Sequence, residues 1–429
     1  MKKIYILLLF LYLLINVSYS QEMIPTYSFA HVTEDFDYYI NTLKTKHPNL
    51  YAFVSEDYFN NEVEKARSML TDSMNVVDLW KTMLRLQHCL DGHSGMDYID
   101  VRSSFPLSYK DASFLYPDSI TDNEIFMNGM KVLSINGLEA QKIIHELYKC
   151  INAEENPKLR LCNLRRRFPS LTYSVLKLAP PYTVVYQGKN GEEIVKTEMG
   201  ISDRYTDYGK VFTDIPLDYK FYPEESIAYL EVNSFSLPDL AEDGLIETFQ
   251  KTLDTPFVEK KINDYKYLFI DISKNTGGGD WPVLALFNKL QHDSVAIPVV
   301  FDKNTAHCTY PHVATGYSGY VFVIAGHWTY SAAYFFYVLM KRSRRGIFVG
   351  EPPGHYNQVY SPLIRYKLPN TNLPFICAKS AHIYFEDVTP DIPWSIDCFH
   401  ESFTLDDLKK MIELYNQLCR SLLSYGNQF

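Results

Sequence analysis

The chain has 429 residues, 46% hydrophobic and 15% aromatic, with a formal net charge of −10 from 41 basic and 51 acidic side chains. That length calls for two or three folding units, and the apolar content supplies their cores, which excludes a disordered chain. The acidic balance excludes a nucleic-acid binder, which would carry a basic face.

Residues 1–20 read as a secretory signal peptide. Lys2 and Lys3 give a positive start, and Ile4–Ile15 is an apolar run too short for a membrane span of ~20 residues. Ser18 and Ser20 are small residues at the −3 and −1 positions before Gln21. No cysteine follows the cleavage point, so a lipid anchor is not indicated. The expectation is a periplasmic or extracellular chain with no stable membrane anchor after signal removal. An uncleaved anchor is the alternative.

Residues 21–100 read as an N-terminal helical subdomain. Phe36, Tyr39, Ile40 and Leu43 recur at helical spacing until His47-Pro48 stops the run. Phe59, Val63 and Ala66 predict a second helix. Leu79, Met83, Leu86 and Leu90 predict a third, with His88 inside it. Its end, Leu90-Asp91-Gly92-His93-Ser94-Gly95, sets His93 in a sharp, glycine-flanked turn. A surface loop and a functional histidine are both open there.

Residues 101–215 turn β-rich, with strands at Ile125–Met127, 129–137 and Tyr182–Tyr186, and a helix at Ala140–Tyr148. The run Arg165-Arg166-Arg167 reads as a solvated face. The string Lys-Val-Leu-Ser-Ile-Asn-Gly-Leu-Glu-Ala resembles the signature of a PDZ-like peptide-binding module, a bare hairpin being the alternative. From 216 to the end, strands at Ile227–Val232, Tyr267–Ile272, Val321–Ala325 and Ile347–Val349 alternate with helices at Leu245–Leu253 and Pro282–Leu290. A mostly parallel sheet with covering helices follows, closed by a helix at Leu405–Leu423.

Seven cysteines, Cys89, Cys150, Cys162, Cys308, Cys377, Cys398 and Cys419, are widely spaced with no CxxC pair, which disfavours a zinc knuckle. One or two disulfides are open in an exported chain, and the sequence cannot pair them.

The segment Val321–Tyr337 runs from a buried strand through Gly326-His327-Trp328-Thr329-Tyr330 into Ser331 and a helix. A helix N-terminus favours developing negative charge, so Ser331 reads either as an N-cap or as a nucleophile. After Tyr267–Ile272 comes Gly277-Gly278-Gly279. It fits neither a dinucleotide fingerprint nor a phosphate loop. A bare turn or a backbone cradle for an oxyanion remains. No GxSxG surrounds Ser331, since Thr329 and Ala333 stand at the glycine positions, which disfavours an esterase. No HExxH occurs.

Taken in order, the strings FDYYINTLKTKHPNLY, LQHCLDGHS, IAYLEVNSF, YLFIDISKNTGGGD, VFVIAGHWTYSAAYFF, IFVGEPPG and FEDVTPDIP resemble the tail-specific, C-terminal-processing family of serine proteases. The likeness is greatest to the branch that includes the tricorn protease core, and it covers nearly all of the mature chain. It implies a crotonase/ClpP-like α/β spiral with a helical N-terminal part and a PDZ-like β-rich insert. It implies a serine-type endopeptidase acting on peptide or protein substrates, with Ser331 as nucleophile, His93 as general base and Glu386 as its orienting group. Backbone N–H groups of Gly277 or Gly278 and of Ala332 would hold the oxyanion. No metal or organic cofactor is implied, and a homo-oligomer is open.

The family also has a Ser/Lys style, but no lysine lies between Lys341 and Lys367. In the tricorn-type site a serine precedes the histidine. Here Gly92 precedes it and Ser94 follows, so a role for Ser94 is open, as is Asp91 in place of Glu386. The rival from another class is a catalytically silent relative that binds peptides.

Overall fold

The structure is a computed structural model. It describes residues 25–97, 113–201, 217–236, 251–259, 261–290, 295–301, 304–310, 316–384, 387–398 and 400–426. The signal segment, Glu386 and all but the last turn of the helix expected at Leu245–Leu253 lie outside these residues.

Three helices open the fold: α1 (Phe29–Lys46), α2 (Glu56–Arg67) and α3 (Val76–Leu84). The side chains of Ser28, Ser55 and Asn75 accept backbone N–H groups of the respective first turns, each worth about 1 kcal/mol. The apolar stripe expected on α1 is buried, with Phe36, Tyr39 and Leu43 fully covered. The third stripe outlasts its helix: α3 tightens after Leu84 into a 3-10 turn, Gln87–Cys89, that carries His88. Leu86 and Leu90 stay buried nonetheless.

The next unit is an antiparallel sheet of strands Ser119–Ile120, Ile125–Met127, Met130–Ile135, Tyr182–Gln187 and Glu193–Glu198 in that order. Helix α4 (Ala140–Tyr148) spans the expected residues. Helix α5 (Pro157–Ser174) was not expected. It carries the arginine run, and the reading of that run as a solvated face is corrected. All three arginines are half-buried. Arg165 Nε donates to the Pro117 carbonyl at 3.3 Å, and the Arg166 guanidinium lies 5.7 Å over the Trp328 ring.

The core is a six-stranded sheet of β1 (Leu217–Tyr222), β2 (Ile227–Val232), β3 (Tyr267–Asp271), β4 (Tyr320–Ala325), β5 (Gly346–Gly350) and β6 (Ile392–Pro393), in that order. All pairs are parallel except β1–β2. A parallel sheet is covered on both faces, so its strands read as unbroken apolar runs. On one face Leu230, Ile270 and Val323 pack under α6 (Asp280–Asn288) and α7 (Ala332–Arg342). On the other, Tyr229, Phe269 and Phe322 pack against Leu408 and Met411 of α8 (Leu405–Gly426). A hairpin of Val295–Phe301 and Asn304–Tyr310, unforeseen in the sequence, precedes β4.

The first and last parts of the chain are joined. Gly95–Met96 pairs with Phe375–Ile376 of the hairpin Leu363–Lys367/Pro374–Ala378. Phe375 meets Tyr39 edge-on at 5.1 Å, and the buried carboxylate of Asp35 accepts both Asn370 N–H (2.8 Å) and Thr371 N–H (2.9 Å). One disulfide, Cys162–Cys398, ties α5 to the segment after β6. Among the described residues no helix is long and apolar enough to cross a membrane.

Candidate active site

Strands β3, β4 and β5 are neighbours and run the same way, so whatever follows their carboxyl ends gathers in one place, the usual location of sites in parallel sheets. Three loops emerge there: the glycine turn after β3, the Ser331 loop after β4 and Glu351-Pro352-Pro353-Gly354-His355 after β5.

The Ser331 loop is stitched tightly. Thr329 Oγ1 donates to the Ile272 carbonyl at 2.9 Å and accepts the Gly326 N–H at 3.0 Å. Tyr330 N–H donates to the Asn275 carbonyl at 3.1 Å. Ser331 then adopts φ 53°, ψ −123°, directly before α7. A non-glycine residue in such a region costs of order 1–3 kcal/mol and persists only where its surroundings impose it. Ser331 holds the N-cap position, yet its side chain caps nothing. The hydroxyl is therefore not spent on the helix.

The glycine turn lies against it. At Gly277, φ +106°, an added Cβ would fall 2.7 Å from Ser331 Cβ and 2.8 Å from the Ala332 nitrogen. Only glycine permits that approach. The Gly277 N–H, however, is donated to Asn275 Oδ1 at 2.8 Å. Phe235 pairs with the Gly277 carbonyl and the Gly279 N–H, which turns the Gly278 N–H to the other side. That N–H has no partner among the described residues. The Ala332 N–H is an orphan of the first turn of α7.

The histidine turn is buried, not a surface loop: Asp91, His93 and Ser94 are each at most 8% exposed. Asp91 Oδ1 accepts the His93 backbone N–H at 2.7 Å, and Oδ2 pairs with His47 Nε2 at 2.8 Å. Burial works to raise the Asp91 carboxyl, but the bond and charge of His47, with His93 adding to them, hold it below its ordinary range. Asn152 Nδ2 donates to the carbonyls of Asp91 (2.6 Å) and Ser94 (2.9 Å). Ser94 Oγ accepts the Ala378 N–H at 3.2 Å, so its hydroxyl serves the hairpin. Asp91 thus pins the loop rather than the ring. His93 Nδ1 is buried and has no hydrogen-bond partner among the described residues.

Three rings join the loops. Tyr330 stacks on His93 with centroids 5.0 Å apart, and lies tilted against His355 at 3.6 Å. The two imidazoles are 5.4 Å apart. His355 Nδ1 accepts the Ser331 backbone N–H at 3.2 Å. Burial pushes His93 below its ordinary value against the pull of Asp91, and pushes His355 well below, helped by His93. Below them Glu154 Oε1 and the Tyr330 hydroxyl converge on Gly92, where an added Cβ would lie 2.5 and 2.1 Å from them. Burial, then the Asp91 charge, raises the Glu154 carboxyl well above its usual range.

Residues 226–393 match the sequence profile of Peptidase family S41. Those residues, which hold the parallel sheet, are similar to that family. Among solved structures, mature CPAF complexed with lactacystin is 14% identical, covering 92% of this chain and 99% of its own, with a TM-score of 0.60. Mature CPAF is 14% identical over 85% of this chain and 92% of its own, with a TM-score of 0.56. At that identity the likeness is one of fold. No curated protein matches.

At the ends of these strands the structure gathers Ser331, Gly277, Gly278 and Ala332 in contact, and brings His93 to them through Tyr330 and His355. No hydrogen bond joins His93 to Ser331 among the described residues, and Glu386 lies outside them. Tyr384 and Asp387, which flank its segment, are described, with the Tyr384 N–H donated to the Asn357 carbonyl at 2.8 Å. Sequence reasoning passed over His355, Tyr330, His47 and Glu154. His355 carried a signal, a histidine directly after the Gly354 turn that follows β5. Glu154 carried none.

Proposed function

We propose that this chain is an exported serine endopeptidase that cleaves peptide bonds through an acyl-enzyme, with Ser331 as nucleophile and His93 as general base. The observation that carries the reading is the uncapped, strained Ser331 lying against Gly277, with an unpartnered buried imidazole one ring away. In this reading His93 takes the Ser331 proton as Oγ attacks a substrate carbonyl. Backbone N–H groups of Gly278 and Ala332 receive the oxyanion. His93 returns the proton to the leaving amine, and water repeats the sequence to release the acyl group.

His355 competes for the role of base because it is hydrogen-bonded to Ser331. That bond argues against it. Nδ1 accepts a backbone N–H, so the neutral ring carries its proton on Nε2. His355 fixes the backbone of the nucleophile. The Ser/Lys style finds no support either: Lys274, buried at the end of β3, is paired with Glu231, and Lys341 lies over the Phe348 ring at 4.5 Å. Glu386 remains the proposed orienting group for His93, and a PDZ-like role for the β-rich unit, holding the substrate chain, goes with this reading.

The rival reading, a silent peptide-binding relative, is separated by a fluorophosphonate probe on the purified chain. Covalent labelling lost in Ser331→Ala, together with peptide hydrolysis lost in the same variant, supports the enzyme. A folded chain that binds peptides but takes no label leaves the rival standing.

A further inference from the structure

Beside the Ser331 loop, behind Trp328, lies a second cluster that the proposed chemistry does not use. Cys162 and His327 are buried and Cys398 is half-buried, and their ligand atoms lie within 4.8 Å of one another. His327 is wholly covered. Its Nδ1 is held by Glu351 Oε2 at 3.1 Å, while its Nε2 is buried with no hydrogen-bond partner among the described residues. Glu351 is itself fixed by Lys158 Nζ at 2.6 and 2.8 Å and by the Ile396 N–H at 3.1 Å. A carboxylate on one imidazole nitrogen, with the other left without a partner beside two sulfurs, is the arrangement that orients a metal-ligating histidine.

We propose that, once the Cys162–Cys398 bond is reduced, Cys162, Cys398 and His327 Nε2 form a three-ligand site for a thiophilic divalent cation, Zn²⁺. The disulfide and the metal are alternative states of one cluster. Two electrons from a reductant such as a phosphine cleave the S–S bond. Water supplies the protons of the two thiols and its oxygen leaves on the phosphine. Zn²⁺ then replaces both thiol protons, forming two Zn–S bonds and one Zn–N bond, with water in the fourth position. The geometry allows it. Tetrahedral Zn–S bonds of about 2.3 Å set the sulfurs about 3.8 Å apart, and the two Cα atoms already stand 5.9 Å apart. Leu159 and Trp328 pack on the sulfur pair.

Co²⁺ is the probe, because thiolate ligation gives a charge-transfer band in the near ultraviolet and tetrahedral coordination gives strong visible bands. The full mature chain, reduced with phosphine and kept anaerobic, is titrated with Co²⁺ and then with Zn²⁺. Expected are both bands in the reduced protein, their displacement by Zn²⁺, and their absence from the oxidised protein and from Cys162→Ser/Cys398→Ser. Glu351→Gln should weaken the site about 10–100-fold, and His327→Ala by at least as much. If His327→Ala fails to fold, Glu351→Gln decides. The proposal is overturned by a reduced wild type without bands, by bands that survive in the double cysteine variant, or by unchanged affinity in Glu351→Gln.

Discussion

The backbone N–H of Ser331 donates to His355 Nδ1 over 3.2 Å. That bond fixes the tautomer of one histidine and the strained backbone of the serine together. His355→Ala should relax Ser331 and lower kcat roughly 100-fold, as a small misplacement of a reacting group does, with KM little changed. His93→Ala should cost roughly 10⁴-fold or more. Steady-state kinetics on both variants check this. Near-normal turnover in His93→Ala would remove the assigned base.

The pH profile follows from burial. A base must be unprotonated, and His93 is held below its ordinary value. kcat/KM should rise with pH along a limb centred below about 6.5 and fall away as acid charges the ring. A limb centred above neutrality would point to another base.

Glu154 gives a stability prediction of defined sign. Its folded-state carboxyl is raised, so the folded chain binds the proton more tightly than the unfolded one. Stability is full below the ordinary glutamate value and is lost as pH rises toward the raised one. Glu154→Gln should therefore raise Tm at pH 8, by ~2–4 °C per kcal/mol relieved, and leave it unchanged at pH 4. Thermal melts at both pH values test this.

The two candidate orienting carboxylates, Asp91 and Glu386, should separate by readout. Asp91 joins His47 and the loop backbone, both buried, so Asp91→Asn should lower Tm as well as kcat/KM. Glu386→Gln should lower kcat/KM with Tm unchanged. Equal stability losses in the two would contradict the division.

Gly277→Ala puts a methyl where Ser331 Cβ and the Ala332 nitrogen already stand, at φ +106°. A stability loss of more than about 1 kcal/mol and abolished labelling by the phosphonate probe are expected. Denaturant melts and labelling together measure it.

The core was legible because a parallel sheet covered on both faces writes itself as apolar runs: β2 spans the six residues expected. The short loops after β3 and β4 were legible through their glycines and Ser331. Helix α5 was not, because Pro169 and three adjacent arginines break its pattern, although Asn156-Pro157 is a fair start signal. The division of labour around His93 was not legible either. Asp91 is two residues away in sequence, and only the fold reveals that it grips the backbone and His47 instead of the ring. The Glu154 carboxyl is raised through burial that no local string encodes.

The edge pairing of Gly95–Met96 with Phe375–Ile376 has a consequence for biosynthesis. The turn that carries His93 is braced by the Ala378 N–H on Ser94 Oγ, and that brace is made almost 300 residues after the turn itself. Until the hairpin is made, the turn is held only by earlier parts of the chain, His47 on Asp91 and Asn152 on the Asp91 and Ser94 carbonyls. The last brace on the His93 turn therefore forms only when the hairpin docks.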